Sequence, residues 1–406
     1  MKTEIITENI EEAAEIIRIG GLVAVPTETV YGLAGNGMNE DAVREIYRVK
    51  GRPEVKPLSL MVPDSSAFER YCEDIPEAAY TLAEAFWPGP LTIVLKAKPE
   101  ISETVRAGGE TVGLRCPDHP KTLELLRKCG LPLAAPSANL SGAPSPKSAE
   151  DVLSGLGGEI DAVLDGGPCG LGRESTIIDL SRKPYRILRQ GALPAEEIQA
   201  ALAGAMTVIG ITGGTGCGKT TALNQIEAQG GLVIDCDVVY HQLTAESVSL
   251  REQLTARFGD VYENGILNTK KLGQVVFYDP QALQDLNAIT HQAVKDEVAR
   301  RLGVWAMEGG RLAAVDAIAL IESGMSELYR PVVGILAPKE VRIARIMVRD
   351  SIDEDYARHR VESQQPDSFY EEHCDKILRN DSTQEAFGTK CKNYFTEVLK
   401  QHGKCK

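Results

Sequence analysis

The sequence has no Cys-x-x-Cys pair, no excess of basic charge, and no run near the roughly 20 consecutive apolar residues a membrane span needs. Its nine cysteines are scattered and odd in number. That argues against a disulfide framework or a structural zinc site and for free thiols in a reducing compartment. The net charge of -14 argues against a protein that coats nucleic acid, because neutralising phosphates takes a basic face. A local basic pocket remains compatible with it. Neither a repeat nor a low-complexity tract is present. The opening MKTEIITENIEEAAEI carries acids where a secretion signal would need a basic start and an apolar core. The expectation is a cytoplasmic protein with no membrane association.

With 406 residues, 43% of them apolar, the chain can bury two separate cores. The strongest boundary falls at 192–206, where ALPAEEIQAALAGAM reads as a short acidic, alanine-rich helix and TVIGITGG restarts as a buried strand. Two domains are expected, 1–200 and 206–400, both α/β. In the first, Gly21–Pro26, Leu58–Val62, Leu91–Leu95, Leu131–Pro136 and Asp161–Gly167 read as strands of a mixed, twisted sheet. A helix should start after an Asn39 cap, bury Val43, Ile46 and Tyr47, and stop at Gly51. In the second, TVIGIT, LVID, LAAVD and VVGIL alternate with helical stretches, the rhythm of a parallel sheet covered on both faces.

Gly213-Gly214-Thr215-Gly216-Cys217-Gly218-Lys219-Thr220 fits the phosphate-binding pattern GxxxxGK[ST], and it sits between a predicted strand and helix. Glycines let successive N–H groups turn inward as an anion nest, and the helix start adds positive charge. Thr221 continues that first turn and is expected, with the loop residues, to bind the nucleotide. Lys219 would reach the β- and γ-phosphates of ATP, and the Thr220 hydroxyl would ligate Mg2+. Asp235 and Asp237 leave the next strand end, where one could take a proton from an attacking hydroxyl and the other position magnesium water or substrate. Either could instead cap the following helix.

With Ile289–His291, Val315–Glu322, the Arg345–Asp350 run and Arg360–Gln364, this half resembles dephospho-CoA kinases. The resemblance implies transfer of the ATP γ-phosphate to the ribose 3′-hydroxyl of dephospho-CoA. It makes Asp237 the base, Asp235 its assistant and His291 a wall of the acceptor pocket. It places Arg345 and Arg349 in or near a closing lid. Ala317-Ile318-Ala319 departs from the family's customary proline-leucine segment, and Gln292 stands where proline is usual. Another P-loop small-molecule kinase is the alternative.

Residues 1–200 hold no P-loop, no GxSxG and no HExxH. Polar residues instead gather at strand and helix ends: Thr29 and Tyr31, Lys50 and Arg52, Arg115, Ser137 and Asn139, Ser175, Arg189. Singly, each suits a helix dipole or a turn. Together they supply the cations, hydroxyls and amide of a nucleotide pocket. In order, the Lys50-x-Arg52 and Ser137-x-Asn139 pairs resemble the YrdC-type threonylcarbamoyl-AMP synthases. That family joins L-threonine, bicarbonate and ATP into an adenylate, which a tRNA-modifying complex then uses. The resemblance gives Lys50, Arg52 and Arg189 the phosphate and carbamate charge. Ser137, Asn139 and Ser175 hold the nucleotide, Thr29 and Tyr31 line the threonine pocket, and Arg115 lies nearby. A non-catalytic RNA-binding module is the alternative for this half.

Overall fold

The computed structural model describes residues 2–402. The chain divides into two compact units, the first running to Leu202 with Met307–Gly309, the second holding the rest from Ala203 onward. Among the described residues, no helix is long and apolar enough to cross a membrane.

The first unit is built on an 11-stranded mixed sheet. From one edge its path runs Glu4–Ile6, Ala162–Leu164, Val23–Val25, Gly32–Asn36, Leu133–Ala134, Ser59–Met61, Thr111–Arg115, Leu91–Ala97, Thr176–Asp179 and Arg186–Arg189. Cys72–Glu73 pairs beside Leu91–Ala97. Every expected strand is present, with boundaries moved by a residue or more. Leu133–Ala134 is the most reduced, because Pro132 and Pro136 on its flanks cannot extend a ladder. Helix Glu40–Lys50 follows the Asn39 cap, whose side chain accepts the amides of Asp41 and Ala42. Val43, Ile46 and Tyr47 are buried as expected. Gly51, at φ +54°, ends the helix in the left-handed conformation that a residue with a Cβ resists. That stop places Lys50 on the last turn and sends Arg52 out on the following loop.

The second unit has a five-stranded, all-parallel sheet in the order Leu232–Asp235, Leu312–Asp316, Thr207–Thr212, Val332–Leu336, Lys376–Arg379. The four expected strands match to the residue. The fifth, KILR, is exposed at both ends and carries no long apolar run. Alternation explains the layering. Ile209, Ile211, Ala314, Val333 and Ile335 face a core shared with helices Lys219–Glu227 and Gln384–His402. Val208, Ala313, Val315 and Val332 face the opposite core under helix Pro280–Met307. The central strand is buried along its whole length, and its C-terminal end opens directly into the glycine-rich loop.

Candidate functional site

In the first unit, side chains from separate strand ends and from the loop after helix Glu40–Lys50 converge on a cavity of about 280 Å³. Its walls include Tyr31, Arg52, Arg115, Ser137, Ser175 and Arg189. Ser175 Oγ lies 2.9 Å from Thr92 Oγ1. Arg189 donates through Nε and Nη2 to the Ser175 carbonyl at 3.1 and 2.8 Å, and through Nη1 to Glu174 Oε2 at 2.5 Å. Arg52 Nη2 donates to the Pro57 carbonyl at 3.0 Å. Burial lowers the proton affinity of both Arg52 and Arg189, the expected cost of holding cations in a recess.

Lys50 is only 2% exposed. Its ammonium donates to the carbonyls of Ser137 and Asn139 and lies 3.4 Å from Asn139 Oδ1. Burial, with the charge of Arg52 alongside, pulls it down to about 8. Ser137 Oγ donates to Asn139 Oδ1 at 2.5 Å, and Asn139 Nδ2 donates to the Leu140 and Ala143 carbonyls. Lys50 and the Ser137–Asn139 pair are therefore one hydrogen-bonded unit, with Ser137 as its face on the cavity.

Arg115 Nη2 donates to Glu28 Oε1 at 2.8 Å and to Thr29 Oγ1 at 2.7 Å, and the ion pair is nearly buried. Thr29 is fully buried and outside the cavity wall, so its contact with the cavity runs through the Arg115 guanidinium. The Tyr31 hydroxyl donates to the Gly167 carbonyl at 2.8 Å. That hydroxyl is committed to the fold.

In the second unit, Gly213–Thr220 bends between strand Thr207–Thr212 and helix Lys219–Glu227. Lys219 Nζ is 3.1 Å from Asp316 Oδ1, an oxygen with no directed hydrogen bond. Burial raises the Asp316 carboxyl; Lys219 opposes the shift, and Asp235 and Asp237 reinforce it. Asp235 and Asp316 are register partners on adjacent strands. A divalent cation would relieve this crowding of acids, and if Mg2+ binds here Asp316 and the exposed Thr220 would be its protein donors. Among the described residues no three His, Cys, Asp or Glu side chains form a metal cage. Mg2+ commonly takes only one or two carboxylates plus phosphate oxygens.

Asp235 Oδ1 accepts the amides of Asp237 and Val238 at 2.9 and 3.1 Å, capping helix Cys236–Glu246. Asp237 instead lines a second cavity of about 260 Å³ with Tyr240, Asn287, His291, Ala317 and Ala319. Burial lowers the proton affinity of the His291 imidazole.

The family model for Sua5, YciO and YrdC, described as telomere recombination, matches residues 15–191, and the dephospho-CoA kinase model matches residues 207–386. Threonylcarbamoyl-AMP synthase of Bacillus subtilis is 49% identical over 194 residues, covering 48% of this chain and 56% of that protein. The Mus musculus threonylcarbamoyl-AMP synthase is 39% identical over 195 residues, covering 46% of this chain and 68% of that protein. The chain belongs to the threonylcarbamoyl-AMP synthase family through its first half, and its second half carries a dephospho-CoA kinase domain. It spans little more than half the length of the first curated relatives it matches. A solved dephospho-CoA kinase from Campylobacter jejuni aligns at 22% identity, with a TM-score of 0.33, over 48% of this chain and 98% of that one.

Within the kinase-family unit, the two expected lid arginines part company. Arg345 Nη1 donates to the Gly216 carbonyl at 3.2 Å, against the loop. Arg349 pairs with its neighbour Asp350 at 2.7 Å and is largely exposed. One further helical turn carries its Cα about 6 Å along the axis.

Three residues that clasp the loop have no role legible in the sequence. Arg342 Nε donates to the Thr215 carbonyl at 2.9 Å, and Gln364 Oε1 accepts both the Thr215 amide and Arg342 Nη2. Asn380 Nδ2 donates to the Cys217 carbonyl at 2.9 Å. Gln364 ends a run that carries the family resemblance, but nothing local gives it or the other two a role, since each comes from a segment remote from the loop in sequence. Asp316 is nearer to legible, as an acid ending a strand beside the loop strand. Cys217 is buried in the core, which raises its thiol.

Gly218 has φ +102°, and a Cβ there would overlap Asn380 Nδ2. Gly218→Ala is expected to cost about 1–3 kcal/mol of stability and to abolish nucleotide binding by the kinase-family unit. Thermal melting and ATP titration would check both effects.

Proposed function

We propose that the first unit makes threonylcarbamoyl-adenylate from L-threonine, bicarbonate and ATP, and that the second phosphorylates the ribose 3′-hydroxyl of dephospho-CoA with ATP. The observation that carries the first reading is the single cavity into which Arg52, Ser137, Ser175 and Arg189 converge from separate elements. The second rests on Asp237 and His291 lining one cavity at the strand end beside the glycine-rich loop.

In the first reaction, the threonine amine and bicarbonate give a carbamate with loss of water. A carbamate oxygen attacks the α-phosphorus, a new P–O bond forms, and the α–β bridge breaks to release pyrophosphate. No protein nucleophile is required. The cations Lys50, Arg52 and Arg189 would offset the growing negative charge, and the Ser137 and Ser175 hydroxyls would orient the nucleotide. The adenylate would pass to a tRNA-modifying complex.

In the second, the ribose hydroxyl loses its proton to Asp237 as oxygen bonds to the γ-phosphorus and ADP departs. Lys219 and the loop amides would hold the phosphates, while His291 shapes the acceptor side. Mg2+, held by Thr220 with Asp316 nearby, would neutralise phosphate charge when bound.

The test is product mass spectrometry on one purified sample. Threonine, bicarbonate and ATP should give threonylcarbamoyl-AMP and pyrophosphate. Dephospho-CoA and ATP should give coenzyme A and ADP. A non-catalytic RNA-binding first unit would consume no ATP in response to threonine. A different small-molecule kinase would leave dephospho-CoA intact and phosphorylate a nucleoside or another alcohol.

A further inference from the structure

Among the described residues, Glu174 is the one acid lining the first unit's cavity. Its Oε2 accepts from Arg189 Nη1 at 2.5 Å, and its Oε1 accepts from Ser145 Oγ at 3.0 Å. The carboxylate is thus pinned between two segments of the wall. Its negative charge also supports protonation of Lys50 and Arg52, two further cations of the site. A nucleotide phosphate that uses the Nη1 edge of Arg189 must take the place Glu174 holds.

We propose that Glu174 is a resident counter-ion of this cavity, which sets nucleotide affinity by competing with incoming phosphates for Arg189. This rests on the adenylate-forming reading of the first unit. A singly charged anion that displaces Glu174 exchanges one ion pair for another and gains little. A triphosphate reaches several cations at once and gains net attraction, so the arrangement selects for polyanions. Arg189 does not depend on Glu174 for its position, because Nε and Nη2 remain bonded to the Ser175 carbonyl. Neutralising the carboxylate should therefore free one guanidinium edge without unmooring the side chain.

The experiment compares the full chain with its Glu174→Gln variant. One readout is the KM for ATP in threonine-dependent pyrophosphate release, which the kinase-family unit does not supply. The other is the Kd for inorganic pyrophosphate in a Lys219→Ala background, which weakens the second unit's phosphate site. Glutamine keeps the shape and can still accept from Ser145. Because the pair is 38% and 41% exposed, the expected gain is modest: KM and Kd fall by about three- to tenfold. Glu174→Ala should move both constants the same way, which covers the case in which the glutamine variant folds poorly. Unchanged or weaker affinity, with threonine-dependent release intact in the wild type, overturns the counter-ion role and leaves the adenylation reading standing. If the wild type shows no such release and neither protein binds pyrophosphate, both fall together.

Discussion

Lys50→Ala is expected to lower threonine-dependent pyrophosphate release by about a hundred- to a thousandfold, the scale of losing one preorganised electrostatic group. The size of the effect follows from burial. Lys50 is 2% exposed, so no solvent cation can substitute for it. It also ties the Ser137 and Asn139 carbonyls together, so its loss loosens the segment that carries the cavity hydroxyl. Lys50→Met separates the two contributions, because it keeps the apolar stem and removes only the charge. If charge is what matters, both variants lose activity alike and differ mainly in melting temperature. Wild-type-like release from either would remove Lys50 from the mechanism.

The pH behaviour follows from the same burial. Lys50 is drawn from an ordinary 10.5 to about 8, so activity that needs the ammonium should decline as pH rises through about 8. Its contribution to stability runs the other way. Between about 8 and 10.5 the unfolded chain holds a proton that the folded chain has released, so this contribution rises with pH. Activity falling before the fold does is the signature to look for, and Lys50→Met should lack it.

Asp237→Asn is expected to cut kcat for dephospho-CoA phosphorylation by about 10²–10⁴, the usual worth of a general base, with little change in ATP affinity. Asp237 lines the acceptor-side cavity, while its neighbour two positions back turns into the helix cap. Asparagine caps helices about as well as aspartate, so Asp235→Asn keeps that cap and removes only the charge. It should retain activity within roughly tenfold of wild type, whereas Asp235→Ala should lose about 1 kcal/mol of stability. Steady-state kinetics beside thermal melts on the three variants would settle the division of labour. Equal losses of kcat in the two asparagine variants would show that the aspartates act as a pair.

The second unit's sheet is legible in the sequence almost to the residue, because four of its strands are short, β-branched or apolar runs ending at glycine, aspartate or alanine. Strand Lys376–Arg379 is not, because an edge position lets KILR keep exposed cations. In the first unit the strands Gly32–Asn36 and Thr176–Asp179 are harder to see. GLAGN has few β-formers and is buried by context alone. The phosphate loop is readable because its chemistry is local. The cluster around Lys50 is readable only through resemblance, since its members lie up to 139 positions apart, from Lys50 to Arg189. Arg342, Gln364, Asn380 and Glu174 could not be assigned from sequence, because their roles depend on which backbone carbonyl or guanidinium tertiary packing sets beside them.

The glycine-rich loop owes its shape to late parts of the chain. Asn380, just past the last strand, grips the Cys217 carbonyl, and Arg342 and Gln364 hold Thr215. On the ribosome, residues 213–220 emerge more than 150 positions before Asn380 does. A nascent kinase-family unit would therefore hold its phosphate cradle unclasped until nearly the whole unit has left the exit tunnel. Nucleotide could reward folding only at that final stage.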